Sequence, residues 1–176
     1  MSKLYGVIYA DPPWRYENGT PGREIEDHYP TMSDNEICAL KVPSMNSCVL
    51  YLWATAPKTP EALSVISAWG FRYRTHAVWD KEKLGMGYWF RGQHELLMVA
   101  TKGIVRCPIP ENRISSIIRC PRGPHSAKPD YVRDMIERWF PHASKLEMFA
   151  RVKRAGWDAF GNEIEYDLLS DNSFLP

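Results

Sequence analysis

Short apolar runs alternate with amphipathic stretches along this chain. Residues 4–10 (LYGVIYA) are β-branched, aromatic or small and predict a buried strand. Residues 47–53 (SCVLYLW) form a second short apolar run and predict another. Residues 58–70 (KTPEALSVISAWG) predict a helix. Pro60 falls in its first turn, Ala62, Leu63, Ile66 and Trp69 recur at helical spacing, and Gly70 supplies the stop. Residues 71–79 (FRYRTHAVW) alternate polar and apolar like a half-buried strand. Residues 94–103 (HELLMVATKG) read as a strand closed by glycine, and 115–120 (SSIIRC) as a short one. The clearest helix covers 128–140, with Pro129 at its start and Val132, Met135, Ile136 and Trp139 on one face. Residues 145–151 (KLEMFAR) predict a last strand.

Strands alternating with helices predict an α/β fold, a mostly parallel sheet with flanking helices. No repeat, linker or low-complexity segment divides the chain, so residues 1–176 are expected to form a single domain. In such sheets ligands collect at the carboxyl ends of the strands. Two chemically distinctive stretches fall there: Asp11-Pro12-Pro13-Trp14 after the first strand, and the region of Arg151 after the last.

Composition narrows the picture. The formal net charge is +1, so contact with nucleic acid must come from a local patch or from transient engagement rather than from a generally basic surface. No apolar run reaches the length of a membrane span, and a soluble, cytoplasmic protein is expected. Cys38, Cys48, Cys107 and Cys120 form no C-x-x-C pair and have no histidine at zinc-site spacing. Free thiols in a reducing compartment and no metal centre are expected.

The stretch DPPW combines an acid, two rigid residues and a large ring. An exocyclic amine conjugated to a heteroaromatic ring is a poor nucleophile. Acceptors placed on its two N–H bonds would favour a pyramidal nitrogen with a directed lone pair. The Asp11 carboxylate is one such acceptor. The Pro12 carbonyl, held by the proline that follows, is another. Trp14 offers a flat face on which a base could stack. The same residues would also serve as a rigid turn that ends a strand.

The wider pattern is similar to a known family. DPPW is the signature of adenine amino-methyltransferases that use S-adenosylmethionine. The chain resembles the family of the mRNA N6-adenosine methyltransferase catalytic subunit and its bacterial and phage DNA-modifying relatives. The resemblance rests on residues 29–37 (YPTMSDNEI), 50–55 (LYLWAT), 87–103 (GYWFRGQHELLMVATKG), 125–139 (HSAKPDYVRDMIERW), 145–151 (KLEMFAR) and 156–163 (GWDAFGNE), all in family order. It implies a Rossmann-like methyltransferase fold in permuted order, with the catalytic strand early and the cofactor strand late. Asp11 and Pro12 would hold the target amine, and Pro13 and Trp14 would complete the pocket. Ile8, Tyr9, Ala10 and Asp11 would border S-adenosylmethionine. Lys128, in the S-x-K-P element, would meet its carboxylate. Phe149, Arg151, Asn162 and Glu163 would line its ribose and adenine.

Substrate contacts are expected from Tyr16 and Tyr29, which would bracket a flipped base, and from Arg15, Arg91, Arg119 and Arg122, with Lys81 and Lys83 as further cations. His28 and His125 are weaker candidates. The eukaryotic members carry an acidic residue well upstream of DPPW that reads the cofactor adenine. No residue of this chain is expected to fill that place, and main chain near Ile8 and the Asn162 region are expected to hold that ring. No zinc-finger RNA module is present, and the chain reads as a bare catalytic core. These features favour DNA over RNA as substrate, with specificity carried by the loops at 15–30 and 80–92, and are compatible with a homodimer. A noncatalytic partner subunit is the alternative from another class, and the intact DPPW counts against it.

Overall fold

The computed structural model describes residues 3–16, 31–87, 89–123 and 127–161. Within them the chain runs β1 (Tyr5–Ala10), α1 (Asp34–Ala39), β2 (Ser44–Thr55), α2 (Thr59–Ala68), β3 (Arg72–Asp80), β4 (His94–Lys102), β5 (Ile117–Arg119), α3 (Asp130–Trp139), β6 (Lys145–Met148) and β7 (Asp158–Phe160). The strands form one seven-stranded sheet in the order β5-β3-β4-β2-β1-β6-β7.

β1 lies between β2 and β6, parallel to both, and β7 runs parallel to β6. β5 runs parallel to β3. β4 breaks the pattern, pairing antiparallel with both β2 and β3. A helical crossover is needed only between parallel neighbours, and β3 and β4 are joined by residues 81–93 with no helix among those described. The reversal brings the first residues of β4 to the edge where the other strands end.

Each face of the sheet is covered by helices. Ile8, Ala10, Leu50, Leu52, Met98 and Leu146 pack on one side against Ile37 of α1 and Ala62, Val65 and Ile66 of α2. Val7, Tyr9, Val49, Tyr51 and Leu97 pack on the other against Val132, Met135 and Ile136 of α3. Full burial of one such aliphatic side chain contributes roughly 1.5–3 kcal/mol, and the alternation along β1 and β2 supplies both layers at once. The apolar stripe of α2 is Ala62, Val65, Ile66 and Trp69. Leu63, expected on that stripe, points outward at 40% exposure.

Two elements lie beyond the sequence prediction. α1 opens on a capping box: the Glu36 N–H donates to Ser33 Oγ at 3.3 Å, and the Ser33 N–H donates to Glu36 Oε2 at 2.7 Å. That S-x-x-E spacing was a readable start signal. β7 is three residues long and is defined by its pairing with β6, so no local periodicity announces it.

Candidate active site

β1 ends at Ala10 in the middle of the sheet, and Asp11 follows at the carboxyl edge. The chain then makes a tight turn. The Trp14 N–H donates to the Pro12 carbonyl at 2.9 Å, an i to i+2 bond centred on Pro13, whose ring-fixed φ suits it. The Pro13 carbonyl accepts from the Met32 N–H at 2.9 Å, and the Arg15 N–H donates to the Met32 carbonyl at 3.2 Å. The motif is therefore pinned on both sides, and the Pro12 carbonyl keeps a second lone pair.

Lys128, two residues before α3, reaches into this edge. Its Nζ lies 2.7 Å from Asp11 Oδ2 and 3.3 Å from Glu95 Oε2. Glu95 Oε1 also meets Lys81 Nζ at 3.2 Å. The Lys128 ammonium sits 5.7 Å from the centre of the Trp53 ring, a cation–π distance. Trp53 is fixed in turn, because its indole N–H donates to the Tyr9 hydroxyl at 2.7 Å and its ring packs edge-on against Trp79. Burial alone would lower the pKa of Lys128, but the Asp11 and Glu95 carboxylates outweigh it and hold the ammonium above its ordinary value. The lysine is a fixed cation between two acids. Glu95 is a member of this site that sequence reasoning missed, because only the antiparallel course of β4 brings its first residues here.

Trp14 departs from expectation. Its side chain is 6% exposed and belongs to the core under α1 and α2, with the indole N–H donating to the Trp53 carbonyl at 3.1 Å. A ring so enclosed braces the turn and does not offer an open face to a base. Tyr16 is more accessible. Its hydroxyl shares a 2.6 Å hydrogen bond with Thr55 Oγ1, and the Lys58 ammonium lies 5.6 Å from its ring centre. Lys58 is itself buried and bonded by both oxygens of Asp34 at 3.1 Å. The α1 and α2 side of the edge is thus braced by ions as well as by packing.

On the other side of the motif, Ile8, Tyr9 and Ala10 are buried as whole residues, so of the cofactor contacts expected from residues 8–11 only Asp11 is accessible. The Asp11 N–H leans toward the Met148 carbonyl at the end of β6 at 3.5 Å. Phe149 follows β6 with φ 62°, a left-handed conformation that costs a non-glycine residue roughly 1–2 kcal/mol, and its ring meets Phe160 edge-on. The Ala150 N–H donates to the Phe160 carbonyl at 2.9 Å. Gly161 packs so closely on Ala150 that an added Cβ would lie 2.2 Å from the Ala150 carbonyl oxygen. Arg151 is exposed at this strand end. Glu147, one residue before the end of β6, is buried and accepts twice from Arg133 Nη1 at 3.2 and 3.0 Å. Burial raises its pKa and Arg133 opposes the rise. A buried cation, an adjacent carboxylate and a strained aromatic turn thus meet at the ends of the parallel strands β1 and β6, a set that suits a ligand carrying both charges.

Arg15 is exposed beside the motif, with its Nε donating to Thr31 Oγ1 at 3.3 Å. Arg91 lies in the β3–β4 loop and donates from Nε to the Gly85 carbonyl at 2.6 Å. Arg119 ends β5 and pairs in register with Asp80 at the same edge, and Arg122 is exposed just beyond. Tyr29, His28, His125, Asn162 and Glu163 lie outside the described residues. Among the described residues no cluster of three or more metal-ligating side chains occurs, and no helix is long and apolar enough to cross a membrane. A cavity of about 320 Å³ lies elsewhere, under α3, lined by Tyr51, Val99, Val105, Met135 and Trp139. It shares none of the site residues above.

Residues 5–163 match the MT-A70 family. The chain is 36% identical over 183 residues to the Type II methyltransferase M.MunI of Mycoplasma sp, covering 92% of this chain and 78% of that protein. It is 31% identical over 171 residues to an N(6)-adenosine-methyltransferase MT-A70-like protein of Arabidopsis thaliana, covering 91% of this chain and 24% of that one. The human N(6)-adenosine-methyltransferase catalytic subunit METTL3 is 26% identical over 172 residues, with 28% of its length covered. The chain therefore spans about a quarter of the length of these plant and human relatives. The geometry at the end of β1 and the match over nearly the whole sheet agree: the chain belongs to the MT-A70 family of methyltransferases.

Proposed function

We propose that this protein transfers a methyl group from S-adenosylmethionine to the N6 amino group of adenine in DNA. The observation that supports this most is the Asp11 carboxylate, held at the end of β1 beside the constrained Pro12 carbonyl and backed by Lys128 at 2.7 Å. DNA is favoured over RNA because a relative matched over 78% of its own length is named a Type II methyltransferase, whereas relatives named N(6)-adenosine-methyltransferases are matched over about a quarter of theirs.

Lys128, Phe149 and Arg151, with Asp11 at the end of β1, would hold S-adenosylmethionine, joined by Asn162 and Glu163 on the ribose and adenine. When bound, this cofactor supplies an electrophilic methyl group. The remaining work belongs to the chain itself. Asp11 and the Pro12 carbonyl accept the two N–H bonds of the target amine and aim its lone pair. The pinned turn fixes both acceptors before substrate arrives, so orientation is set in the folded state. Tyr16, accessible beside the motif, would bound a base lifted out of a duplex. A homodimer is proposed on area, since one small core offers limited surface to a strand.

The test is methyl transfer from labelled S-adenosylmethionine to matched DNA and RNA oligonucleotides, followed by nucleoside analysis. N6-methyldeoxyadenosine as the main product is expected. A preference for RNA would move the substrate to N6-adenosine. Nucleic-acid binding with no transfer to either would mark a noncatalytic partner subunit.

A further inference from the structure

The loop between β3 and β4 ends in a group of exposed apolar side chains. Trp89 is 95% exposed, Phe90 88%, Met86 83% and Leu84 58%. Yet the loop is tightly built. Lys81 N–H donates to the Gln93 carbonyl at 2.9 Å, Gly85 N–H to the Gly92 carbonyl at 2.8 Å, and Gly92 N–H to the Met86 carbonyl at 3.0 Å. Asp80 Oδ1 accepts from the Glu82 N–H and from Gln93 Nε2, both at 2.9 Å. Gly87 has φ 158°, and a Cβ there would lie 2.0 Å from the Phe90 carbonyl oxygen, so the turn closes only with glycine. Two adjacent aromatic rings are held out in water on a braced loop.

Such exposure in a contiguous group calls for a partner. The tip leaves the same sheet edge as Asp11, and its base is tied to the site through Lys81, Glu95 and Lys128. Exposed Lys83 and Arg91 lie on its flanks, and Arg119 is at the neighbouring strand end. We infer that Trp89 and Phe90 form a wedge that enters duplex DNA beside the target adenine and stacks on the neighbouring bases while that adenine is out of the helix. This rests on the proposed DNA reaction and adds to it the group that drives base extrusion. Apolar side chains inserted at a base step unstack the duplex, and an aromatic ring replaces stacking that the departing base gives up. The flanking cations suit the phosphates on either side of the step. Exposed rings with cationic flanks, at the sheet edge that carries Asp11, fit this use better than they fit a protein interface.

The experiment compares initial rates of methyl transfer to amplified, unmethylated genomic DNA presented as duplex and after heat denaturation. The chain is used as it stands and as Trp89→Ala, Phe90→Ala and Trp89→Phe, with melting temperature and oligomeric state measured for each. The alanine variants should lose duplex rate on the order of tenfold to a hundredfold while staying within about threefold on the denatured strand. Trp89→Phe should retain most of the duplex rate, and melting temperatures should not change, because the tip supports no core. Equal loss on both substrates overturns the wedge. So does a change from dimer to monomer in the alanine variants, which would make the tip a contact between copies. Activity of the unsubstituted chain on duplex alone also overturns it, since a chain limited by base extrusion must accept the unpaired strand. No transfer to DNA in either form removes the DNA reaction and the wedge together, whereas transfer with an unchanged duplex-to-strand ratio in the variants removes the wedge alone.

Discussion

Lys128 lies 2.7 Å from Asp11 and holds the DPPW carboxylate from the side of α3, with Glu95 gripping the same ammonium at 3.3 Å from β4. The lysine side chain is 12% exposed, and so is that of Glu95. Three charges are thereby concentrated at the end of β1 with little water to screen them. Lys128 is the member this group cannot lose, because without it the Asp11 carboxylate is left uncompensated, whereas either carboxylate can go while the other still pairs with the lysine. It also means that a substrate amine reaching for Asp11 meets a carboxylate already oriented.

Asp11→Asn keeps the side-chain volume and removes the charge. The Lys128–Glu95 pair remains, so the fold should persist with a melting temperature close to that of the parent. Methyl transfer should fall on the order of a hundredfold to a thousandfold, the cost of losing one oriented electrostatic contact, about 2.7–4 kcal/mol. Transfer at the parental rate from labelled cofactor would remove Asp11 from the chemistry.

Lys128→Met should uncouple the site from its cofactor. S-adenosylmethionine should raise the melting temperature of the parent by mass action. The variant should start lower, since Asp11 then loses the cation beside it while Glu95 keeps only Lys81, and it should gain little on adding the cofactor. Glu95→Gln keeps the Lys128–Asp11 pair and should keep most of the ligand-induced rise. A full rise in Lys128→Met would place the cofactor carboxylate elsewhere.

Trp14→Ala should act first on stability. Truncating a buried ring of this size costs about 3–5 kcal/mol, and the hydrogen bond to the Trp53 carbonyl is lost as well. Trp14→Phe should recover most of the packing and lack only that bond, about 1 kcal/mol. Urea midpoints of the two variants distinguish this from a substrate-stacking role, in which Trp14→Ala would lose activity at an unchanged midpoint.

Acid should weaken the fold through carboxylates whose native partners lower their pKa. Glu137 is held low chiefly by its hydrogen bonds to Arg154, Glu36 by Ser33, and Asp158 by Lys3 and Tyr5 against its own partial burial. For each, the unfolded chain binds the proton more readily than the folded one. Their stabilisation is complete above the unfolded carboxylate range, about pH 4, and drains away as pH falls through the lowered native values. Glu147, raised by burial, has the opposite sign and offsets part of this. The urea midpoint should fall steadily below about pH 4, and Arg154→Ala should flatten the fall. A midpoint that does not move with acid would mean that these contacts are not made in solution.

What was legible in the sequence was local. β1, β2, β3, β4, α2 and α3 follow from side-chain periodicity and from glycine and proline stops, because those signals depend on residues a few positions apart. The chemistry of Asp11, the rigidity of Pro12-Pro13 and the cation at Lys128 follow from residue type, and their order along the chain pointed to the family. α1 was readable from Ser33 and Glu36, whereas β7 had nothing local to reveal it.

The tertiary structure decided which of these residues meet. The direction of β4 depends on its pairing with both β2 and β3, and that direction puts Glu95 beside Lys128 and Asp11, residues distant from it in the chain. The pleat then sends Trp53 toward Lys128 on one face, and the turn after β1 carries Trp14 into the core of the other. Strand register is chosen by the packing of both faces together, and a shift of one residue would exchange them. Composition and spacing therefore specify the parts of this site, while its assembly rests on long-range pairing that no local stretch encodes.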